Sequence, residues 1–380
     1  MTSAVNQRQP AHEAGFLVMH RFLFLTLFCA TLLAACGDGP ERGRLSGGTM
    51  GTTWSVVYGN AKAVDGDHLR GLIEQELADV NDALSTYLPE AEISRLNARE
   101  EAVEQRLSPR FAEVLTAALE IGSMTGGAYD VTVGPLVELW GFGARVFDGG
   151  VPDAETVAQV ARRVGAQRLA WDAESRTLSR PAGMRIDLLS IAKGYAVDRV
   201  SALLLEQGLG NTLVEIGGEL RARGTRPEGG PWRLAVESPD PEGQRFIEAL
   251  MVSDAAVATS GDYRNFFEVD GRRYSHLVDP RTGYPVEHEL VSVTVIHENC
   301  MEADGLATAL IVLGLEPALA LAESNNLAAH FVSRGADGLE VHYTLAFNQY
   351  RRQAASGEGD PADTSGPGAA PASDGLNARG

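Results

Sequence analysis

The stretch EADGLATAL, residues 302–310, sets a carboxylate and a hydroxyl, Asp304 and Thr308, four residues apart where a helix is expected to begin. At that spacing both side chains leave one helical face, one turn apart. Their oxygens are hard donors suited to Mg²⁺, an ion that keeps few protein ligands and takes others from substrate phosphates. The alternative is a helix N-cap, Asp304, followed by an ordinary helical threonine.

Three other stretches hold chemistry of a compatible kind. In IDLLSIAKGYAVD, residues 186–198, Asp187 is expected to end a strand, with Lys193 and Gly194 in the first turn of the next helix. A strand-to-helix turn gathers free N–H groups and positive dipole, which suits phosphate, and Lys193 would add a point charge; it reads otherwise as a surface lysine. The run GGAYDVTVGPLVELWGFG, residues 126–143, flanks apolar residues with glycines and carries Trp140 and Phe142, a composition that lets backbone approach a flat ligand or simply makes loops. LVEIGGEL and VATSGDYRNFF repeat the theme of a strand ending in small residues with an Asp or Glu. Finally, YSHLVDPRTGYP, residues 274–285, has the turn formers of a loop but also His276, a candidate general base or a satisfied structural histidine. GxSxG, HExxH, GxGxxG and paired CxxC patterns are missing, so hydrolase-triad, zinc and Rossmann readings lack support.

The elements that must hold these residues follow from periodicity. Residues 68–84 place Leu69, Leu72, Ile73, Leu77, Val80 and Leu84 on one helical face. Ser108-Pro109 opens a second helix reaching about Thr125, and Asp153 caps a third. Short strands are predicted in QRLAWD, RTLSR and MRIDL, then a fourth helix over 191–207 ending at Gly208. Strands dominate residues 212–297, with a hairpin turn at Asp270-Gly271; two helices follow near 303–324, and a last hairpin turns at Asp337-Gly338. Helices early and antiparallel-looking strands late make an α+β fold.

With 380 residues and 44% hydrophobic content the chain can build a large core. Its net charge of −19, without a basic block, excludes nucleic acid as a partner class and obliges any anionic ligand to find local cations or a metal. Residues 22–35 form an uncharged apolar run behind His20-Arg21, too short for an ordinary membrane span, so residues 1–35 read as a signal peptide, with Met19 an alternative start. Leu33-Ala34-Ala35-Cys36 resembles a bacterial lipobox, which makes Cys36 the expected lipidated first residue; the plainer alternative is cleavage at Ala35. Cys29 leaves with the signal, so Cys300 remains alone and no intramolecular disulfide is expected. Residues 36–46 are expected to be a linker, 47–348 the folded unit, and 349–380, rich in Gly, Pro, Ala, Ser and Asp, a disordered tail.

Taken in order, GGTMGTTW, LSTYLPEAEISRLN, GAYDVTVGPLVELWGFG, IDLLSIAKGYAVDRV, EIGGEL, VATSGDYRNFF, YSHLVDPRTGYPV and ADGLATAL resemble the ApbE family, the FAD:protein FMN transferases, from about Gly47 to His330. The resemblance implies an ApbE-like α+β fold, a mixed, mostly antiparallel sheet with flanking helices. It implies Mg²⁺-dependent transfer of FMN from FAD to a Thr or Ser hydroxyl of a target protein, with release of AMP. Related readings are an FAD pyrophosphatase and a non-catalytic flavin-binding lipoprotein. The implied targets are membrane redox subunits of the Nqr and Rnf type or related FMN-binding domains, met at the periplasmic face of the inner membrane through the lipid anchor. By matching positions, Asp304 and Thr308 with a backbone oxygen near Ser190 would hold Mg²⁺; Met50, Tyr87, Ala128, Tyr129, Asp130, Asp187, Lys193 and Leu277 would line FAD; and His276, with Asp304, would be catalytic. Leu189-Ser190 stands where many members have two small residues, and Tyr129 replaces a commoner Phe.

Overall fold

A computed structural model describes residues 41–143, 150–239, 246–263 and 265–351; the expected signal peptide with Cys36 and the residues beyond 351 lie outside the described residues. The strands are β1 (Arg42–Thr49), β2 (Thr52–Gly59), β3 (Val103–Arg106), β4 (Ala170–Asp172), β5 (Thr177–Arg180), β6 (Thr212–Ile216), β7 (Glu219–Arg223), β8 (Trp232–Glu237), β9 (Phe246–Val252), β10 (Ala255–Gly261), β11 (Phe266–Val269), β12 (Arg272–Ser275), β13 (Val278–Asp279), β14 (Tyr284–Pro285), β15 (Leu290–His297), β16 (Ala328–Gly335) and β17 (Gly338–Tyr343). The α-helices are α1 (Gly66–Leu84), α2 (Glu92–Asn97), α3 (Pro109–Met124), α4 (Gly134–Leu139), α5 (Ala154–Ala161), α6 (Leu189–Glu206), α7 (Cys300–Leu313) and α8 (Leu315–Ser324).

The main sheet runs β1-β2-β6-β7-β10-β15-β16-β17, and each neighbouring pair in it is antiparallel. An antiparallel sheet with helices on one side buries its faces separately. One face packs with α1, α3, α6 and α7 into the principal core, around Trp54, Ile73, Phe111, Ile191, Leu310 and Phe331. The other face meets β8, β9 and the C-terminal turn at Leu345–Tyr350 in a second core around Trp232, Val252, Val257 and Phe347. A third, aromatic cluster gathers Leu136, Trp140, Val157, Tyr274 and Val278. No helix among the described residues is long and apolar enough to cross a membrane.

Helix starts obey the capping logic of the sequence. Asp65 accepts from the Asp67 and His68 amides, Ser108 from Phe111 N–H and Asp153 from Thr156 N–H. Asp270 and Gly271 both take positive φ, as the β11–β12 hairpin requires.

Five expectations need correction. Residues 42–46, expected as linker, belong to β1, which alternates Gly43 and Leu45 inward and pairs with β2 over its full length. Regular structure likewise crosses residue 348, in the turn Leu345–Tyr350, and Arg351 bridges to Leu250. MRIDL is no strand: the Asn97 side chain satisfies both Ile186 backbone groups (2.7 and 2.8 Å), and Asp187 N–H donates to the Val131 carbonyl, so a ladder has no partner to join. The following helix opens at Leu189, which moves Lys193 and Gly194 into its second turn, and α7 opens at Cys300 behind Asn299, which leaves Asp304 inside the helix and not at its cap.

Candidate active site

Asp304 sits buried where α6 and α7 meet. Its Oδ2 accepts from Gly194 N–H at 3.0 Å. That approach depends on glycine, since a Cβ at Gly194 would stand 2.3 Å from the Cys300 carbonyl oxygen. In a regular helix the amide of Gly194 serves the carbonyl of Ser190, so the draw of Asp304 on it leaves Ser190 oxygen with capacity to spare. Thr308, one turn beyond Asp304, shares a hydrogen bond with Ser260 of β10 at 3.0 Å. Tyr129 is buried beside them; its phenolic oxygen accepts from Ser190 Oγ at 2.9 Å. Burial first, then the charges of Asp304 and Asp187, push that phenol well above its ordinary range.

Lys193 lies on the same side of α6 and pairs with Glu219 of β7 at 2.5 Å. Burial disfavours its charge, but Asp304 and Glu219 outweigh that and hold it firmly protonated. Glu219 is raised by burial and drawn back by Lys193; its Oε2 is buried without a hydrogen bond. Burial also raises Asp304 and Asp187. Two carboxylates, Asp304 and Glu219, thus face one ammonium, Lys193. Glu219 follows a β6–β7 turn of Gly217 and Gly218, both at positive φ. Gly217 N–H donates to the Thr53 carbonyl (3.1 Å), which brings the β1–β2 turn carrying half-buried Met50 (φ 50) to the same end of the sheet.

The ApbE family model matches residues 50–331. The chain belongs to the ApbE family. A Vibrio cholerae protein named FAD:protein FMN transferase is 41% identical over 321 residues, covering 84% of this chain and 96% of its own. One of the same name from Haemophilus influenzae is 42% identical over 328 residues, covering 84% and 94%. The solved structure titled flavin transferase ApbE from Vibrio cholerae superposes with a TM-score of 0.76 at 40% identity, covering 82% of this chain and 99% of that one. The α+β architecture of the family is therefore the architecture of this chain.

Within this family fold the residues singled out by sequence divide into two groups. Asp304, Thr308, Ser190, Tyr129, Asp187 and Lys193 converge. Ala128 is buried next to Tyr129. Asp130 spends its carboxylate inside the protein, Oδ1 on Thr132 and Oδ2 on Ala166 N–H (2.8 Å), and so acts as a loop staple. Tyr87 is 62% exposed beyond the end of α1, and Leu189 also stands exposed.

His276 belongs to a neighbouring assembly. Its Nδ1 donates to the Asn265 carbonyl at 3.0 Å, which leaves Nε2 as the lone-pair nitrogen. Burial lowers its pKa, against the opposing pull of Asn265 and Asp262, so the ring is neutral near pH 7. Rings stack behind it from Phe142 through Phe267 and Tyr274 to Trp140, whose indole N–H donates to the Gly283 carbonyl (2.9 Å). The turn itself is self-stapled: Asp279 takes the Arg281 guanidinium at 2.8 Å and its carbonyl takes Gly283 N–H. Leu277 is buried in the principal core. No hydrogen bond joins His276 to Asp304 or Thr308; Ser260, the partner of Thr308, lies in β10, and Asp262, whose charge acts on His276, stands just past that strand's end.

Glu219 and Ser260 were not singled out from the sequence. Their signal was present in EIGGEL and VATSG, strand ends rich in small residues, but nothing in either stretch reveals that Glu219 meets Lys193 or that Ser260 meets Thr308.

Proposed function

We infer that this chain transfers FMN from FAD to a Thr or Ser hydroxyl of a target protein and releases AMP. The meeting of α6 and α7 that holds buried Asp304 with Thr308 and Ser190 beside the Lys193–Glu219 pair carries the reading, in a family whose similar members bear the name FAD:protein FMN transferase. In the reaction the target hydroxyl oxygen forms a bond to the phosphorus of the FMN half. The bond from that phosphorus to the bridging oxygen breaks, AMP leaves with that oxygen, and His276 Nε2 receives the hydroxyl proton. Such chemistry depends on placement and charge neutralisation.

The donor set fits Mg²⁺. Among the described residues none donates a hydrogen bond to Asp304 Oδ1, Thr308 offers a hydroxyl one turn away, and Ser190 offers its carbonyl. No group of three or more His, Cys, Asp or Glu that could hold a metal exists among the described residues, as suits an ion completed by phosphate and water. Bound there, Mg²⁺ would neutralise pyrophosphate charge that the carboxylates of Asp304 and Glu219 would otherwise repel. Lys193, kept charged by its acidic neighbours, adds to that local field. The lipobox at Cys36 supports a lipid-anchored enzyme facing the periplasm from the inner membrane, and the resemblance supports Nqr- and Rnf-type subunits as targets.

The test is incubation with FAD, Mg²⁺ and a target domain, reading covalent FMN on the target by mass spectrometry together with AMP. EDTA and Asp304→Ala are each expected to abolish transfer. Asp304→Ala should keep the wild-type Tm within a few degrees, because it removes a buried charge as well as a hydrogen bond. Transfer surviving Asp304→Ala at the wild-type rate sinks the metal assignment, and FMN released equally fast without target turns the reading to hydrolysis.

A further inference from the structure

Helix α7 carries Asp304 and Thr308, yet its own N-cap residue, Asn299, makes no side-chain capping bond. The first amides of α7 are satisfied from another helix. Asp198 of α6 accepts from Cys300 N–H at 3.1 Å through Oδ1 and from Met301 N–H at 2.9 Å through Oδ2. One turn back on α6, Gly194 gives its N–H to Asp304, one turn along α7 from Cys300. The two helices are therefore joined by two rungs of opposite sense, amide to carboxylate in each direction. Asp198 is itself held by an ion pair with Arg221. Arg221 shares a face of β7 with Glu219, the partner of Lys193, since side chains two apart on a strand point the same way. Strand β7 thus grips α6 at Lys193 and Asp198, and α6 grips α7 at its first turn and at Asp304.

We propose that Asp198 is a positioning residue: by capping α7 from α6 it sets the translation of α7, and with it the places of Asp304 and Thr308 as a donor pair. The proposal rests on the metal-site reading above. A carboxylate cap at a helix N-terminus favours its dipole, but a cap from the helix's own chain would do that equally. What only a cap delivered from α6 provides is a fixed register between the Ser190 carbonyl and the α7 donors.

Mg²⁺ titrated calorimetrically into the FAD-loaded protein, with hydrogen exchange of residues 300–305, tests this. Asp198→Ala is expected to weaken Mg²⁺ binding about 10- to 100-fold, the usual cost of losing a group that supports metal donors. Amides at 300–305 should exchange faster, while the transfer rate at saturating Mg²⁺ stays within about threefold, a split between metal affinity and turnover that mere loss of stability would not produce. Asp198→Asn and Arg221→Met, which keep more of the packing, should give smaller shifts in the same direction and serve if the alanine variant does not fold. Mg²⁺ affinity and exchange in both that match wild type would overturn the proposal. Wild-type protein that takes no Mg²⁺ would instead overturn the metal reading, and the exchange comparison would then decide the role of Asp198 alone.

Discussion

Lys193 read from sequence as a free cation for phosphate; the structure gives it an acidic partner, Glu219, at 2.5 Å. A buried ammonium alone would lose its proton readily, and the pair keeps the charge in place at the expense of part of its reach. His276 shows the converse economy. Its backbone-bonded Nδ1 fixes the tautomer, and burial keeps Nε2 unprotonated at neutral pH. His276→Asn should therefore lower transfer by about 10²- to 10⁴-fold, the range for a lost general base, with FAD binding retained. Wild-type transfer should fall as pH drops through the depressed His276 pKa, and that acid limb should vanish in the variant. A stopped assay across pH 5 to 8 checks both, and an unchanged acid limb would remove His276 from proton transfer.

Elements show where local pattern sufficed and where it did not. The capped amphipathic helices α1, α3 and α5 stand where Asp65, Ser108 and Asp153 place them, because a cap and a 3.6-residue period are local properties. MRIDL failed as a strand because Asn97, 89 residues from Ile186, takes the place of a neighbouring strand. Strand β16 holds another feature invisible to pattern: His330, fully buried against Phe347 with both ring nitrogens unpartnered. Burial, helped by the charge of Arg351, lowers its pKa from 6.5 to about 4. A histidine depressed on folding contributes stability that is complete above its unfolded pKa and is lost as pH falls through the folded value. The loss between pH 6.5 and 4 amounts to about 3 kcal/mol. His330→Leu should thus raise the Tm at pH 4.5 far more than at pH 7.5, where relief of the unpaired ring N–H is worth about 1 kcal/mol. Thermal melts at the two pH values measure this, and equal shifts would contradict it.

At the scale of the molecule, a chain of charge −19 must bind an anionic dinucleotide against its own field. Screening weakens that repulsion over a Debye length of about 8 to 10 Å at physiological salt. FAD affinity of the EDTA-treated protein should accordingly hold or rise as NaCl increases from low to physiological concentration, as read by flavin fluorescence. A steep fall would mean that local cations dominate even without metal.

By itself the sequence determined the fold class, the caps of α3 and α5 and the family, and it proposed the residues of the site, because caps, turns and motif spacing are written within a few positions of one another. Tertiary structure alone decided the rest. It brought Glu219 to Lys193 and Ser260 to Thr308, occupied Asp130 within its own loop, and hung α7 from Asp198. Each of these is a contact between groups far apart in the chain, and only packing of β7, α6 and α7 closes the distance; periodicity carries no information about which distant acid meets which base.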